Sequence, residues 1–199
     1  MSDDPLQHAE QVAGVAAILH EAFTPEGFTV TLVGGSAIEI HAPGIYVSGD
    51  MDLVIERMAS ASKPVDEIFE NLGFQKEGGR HWVLEDLFIE TVGGPVAGPT
   101  ENVRVGESVF RIVTKEVALR DRVVGFKHWR QTAYGEQAVE MLVAFGPELD
   151  ESWMIPELER EDSLDAFTAL RDLAQSSRPV TADVLNAMLE ELWRRGPRQ

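Results

Sequence analysis

Residues Val33–Ile55 read VGGSAIEIHAPGIYVSGDMDLVI, which sets Gly34-Gly35-Ser36 behind one apolar run and Asp50 and Asp52 in front of another. Carboxylates one residue apart in an extended segment project to the same face, where they repel each other unless a cation lies between them. Hard oxygen donors this close suit Mg2+ or Mn2+, ions that keep waters and substrate phosphates in their remaining positions. The glycine pair fits the anionic side of the same chemistry, because a backbone without Cβ lets a phosphate come close and a helix N-terminus favours negative charge. Ser36 adds a hydroxyl and is expected to cap the helix. A third acid, Glu90, sits inside the otherwise apolar LFIETV and makes the natural third ligand of a two-metal site. The alternative for Glu90 is an edge strand with its carboxylate in water.

The elements that must position these residues follow from periodicity and punctuation. Asp4-Pro5 reads as an N-cap and first-turn proline, and Val12, Val15, Ala16, Leu19 and Phe23 recur at helical spacing. Phe28–Val33 alternates as a strand, and a short helix from the Gly-Gly-Ser turn ends near His41. Tyr46-Val47 is expected to open the next extended segment, with Met51–Ile55 as a buried strand. Pro64–Leu72 reads as a helix stopped by Gly73. His81–Leu84 and Leu87–Val92 read as strands, and Val103–Val105 with Val109–Val113 as a hairpin around Gly106. From Thr114 the pattern is helical: Lys115–Trp129, Gly135–Phe145, Ser163–Ala174 and Thr181–Arg195. The expected fold is α/β (α+β), a small mixed twisted sheet with flanking helices over residues 1–113, followed by a C-terminal helical region, 114–199, packed on that core.

The block from Val33 to Ile55 resembles the Gly-Gly/Ser and Asp-x-Asp signature of the polymerase-beta-like nucleotidyltransferase superfamily. FENLGF, FIETVGGPVAG and VTKEVALRDRVVGFKHWRQTAYGEQAVEML look like later blocks of small bacterial nucleotidyltransferase-like proteins related to toxin-antitoxin and abortive-infection pairs. The resemblance spans roughly residues 28–145. It implies transfer of a nucleoside monophosphate from an NTP to an acceptor (RNA, a protein or a small molecule) with Mg2+ or Mn2+. Asp50, Asp52 and Glu90 would be metal ligands and catalytic carboxylates. Gly34, Gly35, Ser36 and Ser48 would hold the nucleotide. Relatives often carry Arg and Thr where this chain has Tyr46 and Ser48, so Arg122 and Lys127 on the following helix are candidate replacement cations. The alternative for both is an exposed helix face pairing with Asp121 and Glu116. A second function stays open beside the enzyme: a catalytically inactive, antitoxin-like or regulatory module that binds a protein.

Composition bounds the partners. The 199 residues hold 34 acidic against 17 basic side chains, a net of −17, which disfavours generic DNA binding and anionic membranes. That acidity fits either a solvated, salt-adapted surface or an acidic face for a basic protein partner. Cysteine is absent, excluding disulfides and thiolate chemistry. The acidic start lacks signal-peptide character, and no apolar run nears the roughly 20 residues that cross a bilayer. A cytoplasmic protein is therefore expected. His41, His81 and His128 lack zinc spacing, GGPVAGP reads as a turn, and Trp82, Trp129, Trp153 and Trp193 are expected in the core.

Overall fold

Asp4 opens the first helix, α1 (Pro5–Phe23), by accepting the Leu6 N–H at 3.0 Å, with Pro5 in the first turn where its missing N–H costs nothing. Its buried stripe of His8, Val12, Ala16, Leu19 and Phe23 keeps three- and four-residue spacing. The computed structural model describes residues 4–105 and 108–195, which divide into one unit ending at Thr114 and another beginning at Lys115. The Gly106 turn expected between two strands lies outside the described residues.

The first unit is a mixed α/β fold on seven strands: β1 (Phe28–Leu32), β2 (Met51–Arg57), β3 (Gln75–Glu77), β4 (His81–Leu84), β5 (Leu87–Val92), β6 (Thr100–Val105) and β7 (Ser108–Val113). Their order across the sheet is β3-β4-β5-β2-β1-β7-β6. β2 runs antiparallel to β1 and parallel to β5, while β1 runs parallel to β7. Between β1 and β2 comes α2 (Gly34–His41), and α3 (Val65–Asn71) follows β2, stopped by Gly73 at φ +90. An aromatic chain binds helix to sheet: Phe23 meets Phe69 at 5.0 Å, and the fully buried Trp82 stacks on Phe69 at 4.5 Å.

Three sequence expectations change here. Tyr46-Val47 forms no strand, and the chain from Ala42 to Asp50 is irregular. Ser36 is no cap: α2 begins at Gly34, with Val33 in the cap position, whose side chain makes no cap hydrogen bond. Glu90 is not on an edge, since β5 lies between β4 and β2.

The second unit is helical: α4 (Lys115–Trp129), α5 (Thr132–Phe145), α6 (Glu151–Arg160), α7 (Leu164–Ala174) and α8 (Ala182–Arg195). α5 begins three residues before the expected Gly135, and α6 carries Pro156 inside it. Leu119, Val123, Phe126, Met141, Leu158, Phe167, Leu170 and Leu185 fill its core. A Cβ at Gly135 would come within 2.7 Å of the Phe126 ring, so this glycine lets α5 close on α4. Trp129 and Trp193, expected inside, are 63% and 54% exposed. Trp193 lies at a helix end, donating its indole N–H to the Lys127 carbonyl at 3.2 Å under the Arg130 guanidinium, as suits a ring with one polar edge. Among the described residues no helix is long and apolar enough to cross a membrane.

Candidate functional site

Asp52 is the second residue of β2, and the parallel register with β5 sets it directly beside Glu90. Asp50 lies in the bend just before β2, so the ladder that fixes Asp52 does not reach it. Met51, between them, is 2% exposed and turned into the core. Carboxylate oxygens of Asp50, Asp52 and Glu90 all lie within 4.8 Å of one another, with Asp50 exposed and the other two half-buried. Three hard anionic donors that close, open to solvent on one side, fit a Mg2+- or Mn2+-sized ion that retains waters. They do not suit a soft or thiolate-loving metal.

The glycine pair faces this cluster, though its space is filled from within the protein. Gly34 has φ +62, a conformation that favours glycine, and a Cβ there would overlap the Asp52 carboxylate. Gly35 donates its N–H to Asp52 Oδ2 at 3.2 Å. A Cβ on Gly35 would come within 2.5 Å of the Tyr46 ring and 2.9 Å of Ser48 Oγ. The glycines thus seat Asp52 and the 42–50 loop against the start of α2. Ser36 and Ser48, expected to touch nucleotide, are buried: the Ser36 hydroxyl donates to the Asp50 carbonyl at 3.0 Å, and the Ser48 N–H donates to Glu39 at 3.1 Å.

Two basic side chains at the cluster escape a reading of spacing alone. Arg80 lies 3.0 Å from Glu90 Oε1, and His81 Nε2 lies 3.8 Å from Glu90 Oε2. The signal is the two-residue Glu85-Asp86 turn: pairing Leu84 with Leu87 and counting back puts His81 opposite Glu90. A cavity of about 450 Å³ opens here, lined by Gly49, Asp50, Glu77, His81, Phe88 and Ile89, with Phe88 46% exposed on its wall.

Arg122 and Lys127 belong to the helical unit and are engaged there. Arg122 lies over the Tyr134 ring at 4.6 Å. Lys127 is 9% exposed and pairs with Asp165 at 2.9 Å and Asp162 at 3.2 Å, also donating to the Asp162 carbonyl. Neither occupies an exposed face, and the acids expected as their partners are taken: Asp121 pairs with Arg120, and Glu116 accepts the Asp150 N–H. Lys127→Met should therefore cost about 2 kcal/mol, the scale of hydrogen bonds to a charged group, and leave nucleotide response unchanged. Denaturant unfolding beside a metal-NTP thermal shift checks this; a lost shift without destabilisation would return Lys127 to the phosphates.

No family profile, curated protein or solved structure matches this chain.

Proposed function

We propose that this protein is a divalent-metal-dependent nucleotidyltransferase that moves a nucleoside monophosphate from an NTP to an acceptor hydroxyl on RNA, a protein or a small molecule. The observation that carries the reading is the convergence of Asp50, Asp52 and Glu90 beside the glycine start of α2. The resemblance of the Gly-Gly-Ser and Asp-x-Asp block to nucleotidyltransferases supports it.

Asp50 and Asp52 would hold Mg2+ or Mn2+, with Glu90 as third ligand. When bound, the ion neutralises charge collecting on the phosphate oxygens. Glu90 orients the acceptor hydroxyl and takes its proton while the acceptor oxygen bonds to the α-phosphorus and the bond to pyrophosphate breaks. Arg80, 60% exposed on Glu90, is the cation that can turn to a phosphate oxygen as a planar fork, in the role relatives give to an Arg before the Asp-x-Asp. The cavity beside Asp50, with Phe88 on its wall, offers room for the acceptor end. Catalysis of this kind is mostly positioning and electrostatics.

Transfer of label from α-labelled NTPs to cellular RNA and protein fractions, with and without Mg2+ or Mn2+, tests the reading. Glu90→Gln should weaken Mn2+ binding at least about tenfold, or ~1.4 kcal/mol, with the fold preserved. A Mn2+ titration unchanged by that substitution would remove Glu90 from the metal set. One observation favours a second reading, an inactive module that binds a protein partner through its acidic surface: the Tyr46 ring lies over Gly35, where the backbone would otherwise meet a phosphate. Under that reading no NTP and metal combination transfers label.

A further inference from the structure

We infer that Glu39 is a positioning residue for Asp50, acting through the 42–50 loop. This rests on the triad's reading as a metal centre. Glu39 lies mid-way along α2 and is fully buried, a placement that costs a carboxylate several kcal/mol unless its oxygens are satisfied. Both are. Oε1 faces His8 Nδ1 from α1, itself 3% exposed, and Oε2 accepts the Ser48 N–H at 3.1 Å. One turn earlier on the same helix, the equally buried Ser36 donates its hydroxyl to the Asp50 carbonyl at 3.0 Å.

One face of α2 therefore grips the incoming loop twice, at Ser48 and at Asp50 itself. The loop needs such a grip. Asp52 and Glu90 are located by the β2–β5 ladder, whereas Asp50 precedes the strand and has no partner there. For core packing alone, an apolar residue of similar volume serves as well as a buried polar pair or better. What the Glu39 carboxylate adds is an acceptor aimed at a backbone amide two residues before a ligand, with His8 holding that carboxylate in place. Groups that orient ligands in this way typically change metal affinity by roughly 10- to 100-fold when removed.

The test is a Mn2+ titration followed by electron paramagnetic resonance on the full chain: wild type, Glu39→Gln and Ser36→Ala, with Asp50→Asn as control. Thermal melts and amide exchange across residues 46–50 are measured beside it. Both Glu39→Gln and Ser36→Ala should weaken Mn2+ about tenfold while melting cooperatively, with faster exchange in the loop. A merely structural role moves the melting point and leaves the Mn2+ Kd of the folded protein unchanged. Cooperatively folded Glu39→Gln that binds Mn2+ like wild type overturns the inference. If Glu39→Gln does not fold, Ser36→Ala, which removes one hydroxyl and no charge, decides in the same way. Wild type that binds no Mn2+ at all overturns the metal centre first, and this inference with it.

Discussion

Replacing Asp50 and Asp52 together by Asn is expected to abolish the rise in melting temperature that an NTP with Mg2+ or Mn2+ gives the wild-type protein. The expectation follows from mass action. A ligand at one hundred times its Kd stabilises the native state by about 2.7 kcal/mol, and for a chain of this size each kcal/mol moves the midpoint by roughly 2–4 °C. The wild-type shift should therefore be about 5–10 °C, well above error, and the variant's should be zero. Each change exchanges one carboxylate oxygen for an NH2 group of nearly the same size, so shape is preserved while two of the three converging charges disappear. Without metal, the single Asp50→Asn change should raise stability slightly, by about 0.3 kcal/mol, because it relieves repulsion at an exposed position. An acid that merely supports the fold would lose stability instead. A double variant that still responds to metal and NTP as wild type does would put the metal elsewhere and end the proposed function.

The largest expected loss of stability belongs to Trp82→Ala. Its ring is 1% exposed and stacked on Phe69, which in turn meets Phe23 and Phe74 edge-on at 5.0 and 5.5 Å. Truncation removes the end of that aromatic chain and leaves a cavity where α3 lies on the sheet, at a cost of about 3–5 kcal/mol. Against a total stability of roughly 5–15 kcal/mol this is a large fraction. It also bears on the site, since Trp82 follows His81 on β4 and pairs with Ile89, the neighbour of Glu90. Urea unfolding read by tryptophan and tyrosine signals checks the figure. A loss below about 1 kcal/mol would mean that the ring is not the keystone its burial implies.

The two substitutions separate chemistry from support, and much the same division governs what could be read in advance. Where local signals agree, boundaries were legible: Asp4-Pro5 starts α1, Gly73 stops α3, and the apolar runs on either side of Glu85-Asp86 mark β4 and β5 to the residue. The α/β half and the helical region after it also followed from periodicity. Asp50, Asp52 and Glu90 stood out because charge interrupts apolar runs, and the structure brings all three together. Residues whose role depends on distant partners did not stand out. Glu39 sits among AIEIH like any solvent-facing acid, and only α1 and the 42–50 loop reveal that it is buried. β3 is three polar, exposed residues that hold strand geometry only because β4 pairs with them. α6 was hidden by Pro156, which reads as a breaker; in the folded helix Asp150 accepts the Ser152 N–H and Met154 and Leu158 are buried, outweighing the one amide that proline removes. Lys127 could be read only as a phosphate-binding cation or as a partner of the nearby Asp121 and Glu116, because Asp162 and Asp165, its partners in the fold, lie more than thirty positions away in the chain.

The strand order has a consequence for how the protein forms. β2, β5 and the bend just before β2 carry the acidic cluster, and all lie before position 93. β1 closes on its other side against β7, where Thr31 and Leu32 meet Arg111 and Ile112. That closure joins residues eighty apart and carries the greater loop entropy, whereas β1 and β2 meet across one short helix and its loop. The half of the sheet that positions the acidic cluster can thus assemble while the β6–β7 hairpin is still emerging from the ribosome. Addition of that hairpin to the open edge of β1 then becomes the slow, topologically demanding step, taken after the carboxylates are already side by side.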